Sequence, residues 1–157
     1  MAALRDLPKG HLHLHLEGAM RRSTLGELAE RYGVAVPDIS AFTGFGEFLE
    51  LYGLASDLLR SPDDLRRLVR EIAEDTAADG GVWVEVHANP DLHPGLGSTA
   101  EVLDLTLEAA HDATAATGVG VGVILSADRT RPPAEAEALA RLGADRSGDG
   151  VVGLGLA

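Results

Sequence analysis

No cysteine occurs among the 157 residues, which excludes disulfides and thiolate metal ligands alike. Cations are also few. Thirteen Lys and Arg face 25 Asp and Glu, a net charge of −12. A surface so acidic repels phosphate backbones and anionic lipid, so neither nucleic acid nor membrane is an expected partner. No apolar run approaches the ~20 residues of a membrane span, and no basic start leads into a short apolar segment. A soluble, cytoplasmic protein is expected. No glycine-rich phosphate loop follows the first predicted strand. "GVGVGV" at 118–123 imitates a nucleotide fingerprint, but its glycines lie inside a strand instead of opening a helix.

What is present is globular in composition, 45% hydrophobic and 24% charged. The length suits one domain, 1–157, able to bury a real core. Strict alternation predicts a strand over 11–16. Thr24 to Tyr32 reads as a helix, with Thr24 and Glu27 at capping-box spacing and Gly33 as its stop. Residues 47–59 are helical in period. Ser61 and Pro62 open a further helix, with Leu65, Leu68, Val69, Ile72 and Thr76 on one face, ended by Gly80 and Gly81. "VWVEVHANP" is a second strand, and Ser98 caps a helix running to Thr117. Strand 119–126, an Ala-rich helix from Pro132 and Pro133 to about Gly143, and strand 150–157 complete the chain. Strands alternating with helices predict βαβ units and a parallel sheet, either open and doubly wound or part of a (β/α)8 barrel.

The chemistry lies in "GHLHLHLEGAM", residues 10–20. Side chains two apart on a strand share a face, so His11, His13, His15 and Glu17 should point one way and Leu12, Leu14 and Leu16 the other. Neighbours on one face are ~6.6 Å apart, close enough for two imidazoles to lean onto one ion. His11 and His15, ~13 Å apart by the same arithmetic, cannot comfortably share it. Parallel barrels keep their sites at the carboxyl ends of the strands, which favours His13 and His15. A catalytic zinc takes about three protein ligands, so this pair is half a site.

"LPKGHLHLHLEGAMRRSTLGELAERYG" at 7–33 closely resembles the opening of the adenosine deaminase family. "FGEFLELY" at 45–52 resembles the family's gating helix, "GVWVEVHANPDLHP" at 81–94 its second strand, and "VVGLGLA" at 151–157 its fourth. The resemblance implies a metal-dependent hydrolase fold, the first half of a (β/α)8 TIM-type barrel. His13 and His15 match the first two ligands of one zinc ion. His15 and Glu17 match substrate-site positions, the acid accepting a ribose hydroxyl, and Phe45, Phe48 and Leu49 match the apolar gate. Glu85 matches an acid of the second strand, for which a structural hydrogen bond is expected. His11 stands where an acid is common and His87 where the family has arginine. His93 and His111 match nothing and are expected on the surface. The third metal histidine, the proton-shuttling Glu, the hydroxide-stabilising His and the metal-binding Asp all follow the family's fourth strand.

The resemblance therefore implies the N-terminal half of a zinc-dependent adenosine or adenine deaminase acting on a purine nucleoside or base, truncated after the fourth strand and inactive alone. Self-association or a complementing C-terminal half would complete it. Two alternatives stay open: a noncatalytic half-barrel that binds a partner or a metal, and a fragment of another amidohydrolase-type metal hydrolase.

Overall fold

The computed structural model describes residues 7–37 and 44–156. Four strands, β1 (Lys9–His15), β2 (Gly81–Ala88), β3 (Gly120–Ala127) and β4 (Val151–Leu156), form one sheet in sequential order. All three pairings are parallel. Five helices accompany them: α1 (Arg22–Tyr32), α2 (Phe45–Asp57), α3 (Pro62–Ala78), α4 (Thr99–Thr117) and α5 (Pro133–Asp145). Among the described residues no helix is long and apolar enough to cross a membrane.

The core sits between one face of the sheet and the helices. Val84, Val86, Val121, Val123 and Leu125 are buried with Leu65, Leu68, Val69 and Ile72 of α3 and Val102, Leu103 and Leu107 of α4. Period 2 on the strands meets period 3.6 on the helices, and each supplies one apolar face. The helix starts follow local chemistry. Ser61 and Asp64 form a reciprocal capping box at α3, as Ser98 and Glu101 do at α4. Gly33 closes α1 in the left-handed conformation, φ 65°.

α1 departs from its expected start. It begins at Arg22, and Thr24 caps nothing. The Thr24 hydroxyl is buried and donates to Glu71 Oε2 of α3 at 2.7 Å. Arg21 instead pins the helix start, gripping Asp75 through Nε and a terminal nitrogen at 3.0 and 2.7 Å. Long-range contacts replace the local cap.

β1 also departs from strict alternation, at both ends. Its partners on β2 are Val84 for His11 and Val86 for Leu14, so three steps on β1 span two on β2. The extra residue is a bulge. It carries His11 to the helix side, where it lines a groove with Leu14, Ile72 and Thr76. At Leu16 the backbone turns helical, φ −52° and ψ −57°, and Glu17–Ala19 forms a single 3-10 turn. Glu17 therefore leaves the strand face. Leu12 is not covered by a helix but is 61% exposed, whereas Leu16 is buried.

The face away from the helices is the concave one. Trp83, Glu85 and His87 alternate along it, with Glu85 accepting the Trp83 indole N–H at 3.1 Å. The Trp83 ring lies across β3, where a Cβ on Gly120 would stand 2.3 Å away and one on Gly122 2.8 Å away. Gly120 and Gly122 of "GVGVGV" thus make room for an indole, while Gly118 lies before the strand and closes α4 with φ 76°. They do not cradle a phosphate.

Candidate active site

His13 and His15, the strand residues on either side of Leu14, meet His87 on the concave face. The His13 and His15 rings are 5.3 Å apart and edge-on, His15 and His87 also 5.3 Å, and His13 and His87 4.2 Å. His11 takes no part. The His87 ring stays in place through Nδ1, 3.0 Å from Ser126 Oγ on β3. A Cβ on Gly155 of β4 would stand 3.3 Å from that same nitrogen. Burial, then the neighbouring His13 and His15, pushes the His87 imidazole below its ordinary pKa, against an opposing pull from Glu85.

Two imidazoles on one tetrahedral zinc, with bonds of ~2.0–2.1 Å, hold their ring centres about 5 Å apart. The His13–His15 spacing fits that requirement. His13 and His87 are closer and tilted, a stacking distance rather than a ligand-pair distance. Among the described residues no three His, Asp or Glu side chains converge on one ion. The donor set fits two positions of a metal shell and leaves the others to groups outside these residues.

A cleft of about 440 Å³ opens beside the histidines, lined by His15, His87, Ser126, Asn89, Asp128 and Leu92, and by Phe45, Phe48, Leu49 and Tyr52 of α2. α2 lays an aromatic row along one wall, with Phe45 on Phe48 at 5.8 Å and Phe48 by Tyr52 at 6.0 Å. Phe45, Phe48 and Leu49 are largely exposed, so they are wall rather than core.

Glu17 is not in that wall. It is 1% exposed, with Oε2 accepting the Tyr52 hydroxyl at 2.5 Å and Oε1 2.8 Å from His93 Nε2. Burial, then the adjacent Glu17 carboxylate, pushes the Tyr52 phenol above its ordinary pKa, so it stays neutral and donates.

His93 corrects an expectation. It is 4% exposed, not a surface residue, because Pro90 and Pro94 start two successive 3-10 turns that fold the loop after β2 back under Glu17. The two prolines in "NPDLHP" were the available signal for so compact a loop. His111 is exposed, as expected. Tyr52 and Ser126 were not singled out from sequence. Tyr52 follows Phe48 by four residues, one helical turn, which places it on the gate face.

Residues 8–157 match the family model described as Adenosine deaminase. An adenosine/adenine deaminase of Streptomyces virginiae is 43% identical, over 96% of this chain and 48% of its own length. A zinc-bound amidohydrolase of Burkholderia ambifaria superposes with a TM-score of 0.82 at 33% identity, over 98% of this chain and 44% of that one. Arabidopsis ADAL complexed with GMP gives 0.83 at 27% identity, over 98% and 50%. The chain spans about half the length of the curated relatives it matches.

Proposed function

The chain belongs to the adenosine deaminase family, and from that premise we propose that it supplies the first half of a metal-dependent aminopurine deaminase site: two zinc ligands, His13 and His15, and the gated wall of a purine cleft. The observation that carries this reading is the His13–His15 pair, 5.3 Å apart, with His15 lining the cleft walled by Phe45, Phe48 and Leu49. Zinc, if bound, would supply Lewis-acid activation of water for hydrolytic release of ammonia from C6 of the purine. His13 and His15 would hold the ion from the β1 side. His15 and the aromatic row of α2 orient the flat ring, and α2 excludes bulk water from it. His87, fixed by Ser126, lines the same cleft.

No residue of the 157 matches the family's proton-shuttling Glu, so these residues by themselves bind weakly and do not deaminate. Loss of the adenosine absorbance band, followed with zinc added, tests this for the chain alone and after mixing with a separately made C-terminal half of a related deaminase. The expected result is no turnover alone and measurable turnover in the mixture. Robust zinc-dependent turnover by the chain alone would show that the shuttle has been misplaced. Absence of zinc binding in every preparation would remove the metal reading altogether.

A further inference from the structure

The His13–His15 pair fills half of a tetrahedral shell, and this step, which rests on the metal reading just given, concerns the other half. The sheet has the shape of half a (β/α)8 barrel and superposes on 44% of the zinc-bound amidohydrolase. Its strands run parallel in the order β1, β2, β3, β4, so β1 and β4 are its two open edges. A twofold along the barrel axis brings β4 of each copy beside β1 of the other, in the same order and the same parallel sense. We propose that two copies of this chain close one symmetric eight-stranded barrel in this way, and that His13 and His15 of the second copy supply the metal positions that one copy does not.

The concave face is layered. Toward the amino ends of the strands it is apolar. A Cβ on Gly10 would lie 3.5 Å from Leu12 Cδ2 and 3.8 Å from Trp83 Cβ, and one on Gly122 would lie 2.8 Å from Trp83 Cζ2 and 2.9 Å from Val152 Cγ2. Leu12, Trp83 and Val152 therefore form one band across the sheet from β1 to β4, and all three are exposed. The interior of a parallel barrel is packed by layers of such side chains from strands all round the ring. In the closed dimer the band meets its own copy, and the two β4–β1 pairings cover both edges.

Toward the carboxyl ends the layer is polar, with His13, His15, His87 and Ser126 together. β4 adds Gly155 beside His87, a residue with no side chain to fill the space. In a ring of eight strands β1 stands opposite the β1 of the second copy, and such a barrel is only wide enough for side chains to fill. The two His13–His15 pairs thus face each other at one height. Each has the ring spacing of two zinc ligands, 5.3 Å, so two pairs make four positions. A shell so closed binds zinc without deaminating. Glu85, on the same face as Trp83, enters the interior from both copies, and a divalent ion offsets the two like charges. Zinc therefore favours the closed dimer.

The test is sedimentation equilibrium of the 157-residue chain, with zinc and with a chelator, beside a zinc titration at several chain concentrations. With zinc the chain should sediment as two copies and no more, because a closed barrel has no edge left to pair. One zinc should bind per two chains, with an apparent affinity that rises with chain concentration. Emission of the sole tryptophan, Trp83, should shift to the blue as the dimer forms. Leu12→Lys changes an exposed residue that is no ligand, and it should lose the dimer, the blue shift and roughly tenfold in zinc affinity. Circular dichroism checks that its helices remain, and the stoichiometry of the unmodified chain decides whether or not the variant folds. One zinc per chain, or an affinity independent of chain concentration, overturns the shared site and leaves the metal reading standing. Assemblies that keep growing in saturating zinc overturn the closed barrel. Absence of zinc binding in every preparation overturns the metal reading beneath the proposal.

Discussion

Trp83 shows how one side chain dictates its neighbours. Its ring fills the space above Gly120 and Gly122, and a methyl at Gly122 would meet both that ring and Val152, each within 3 Å. Overpacking of this kind costs about 1–3 kcal/mol. Gly122→Ala is therefore expected to lower the urea midpoint without changing the slope, and an unchanged midpoint would mean that Trp83 moves aside freely. The histidines make the complementary case. His13 and His15 were legible because alternation places them on one face and the carboxyl end of the strand favours that pair over His11, but the turn of His11 to the helix side was not, because a bulge depends on the pairing with β2. A zinc titration should show binding lost in His13→Ala and in His15→Ala and kept in His11→Ala. Equal loss at all three would contradict the assigned pair. Glu17 and His93, 76 residues apart, meet only through a loop whose path no local pattern specifies.

Among the elements, those with self-contained signals were read correctly. α3 and α4 start where Ser61 and Ser98 predict, since a capping box is complete within four residues. α1 was misplaced because its Thr24 bonds across to Glu71, and β4 carries a register shift against β3 that its apolar sequence does not announce. Ser61→Ala should cost about 1 kcal/mol of stability, read from chemical denaturation. The partner acid adds a pH dependence. Burial works to raise the Asp64 pKa, but hydrogen bonds from the Tyr32 hydroxyl and from Ser61, together with the Arg31 charge, bring it below the ordinary value. A carboxyl depressed on folding contributes its full stabilisation above its unfolded pKa near 4 and loses it as the pH falls through the lower folded value. Melting temperature should fall on acidification below about pH 4. Asp64→Asn, which lacks the charge, should melt lower at pH 7 and lose less on acidification. Parallel melting curves for the two proteins against pH would assign the acid sensitivity elsewhere.

At the scale of the whole molecule, the sheet ends in two strands that each have a neighbour on one side only. β1 pairs with β2 and β4 with β3, and among the described residues no other strand meets either. Both edges carry apolar side chains in the open: Leu12 on β1, and Val152, Leu154 and Leu156 on β4, the last 62% exposed. An edge with free N–H and C=O groups and exposed leucines is a template for further pairing. The net charge of −12 opposes association at long range, but salt screens it over about 8 Å at physiological ionic strength, while the apolar edges act at contact. The alternation of strand and helix that made the sheet legible in the sequence could not say which residues would cover its ends, because a closed barrel and an open half share the same periodicity. Sedimentation of the chain at 0.15 M salt should therefore show dimers or larger species. Leu154→Lys with Leu156→Lys should shift the distribution toward monomer, and adding a C-terminal half from a related deaminase should convert self-associated chain into a one-to-one complex. A chain that stays monomeric at high concentration, with both leucines in place, would mean that these edges are protected by something other than another sheet.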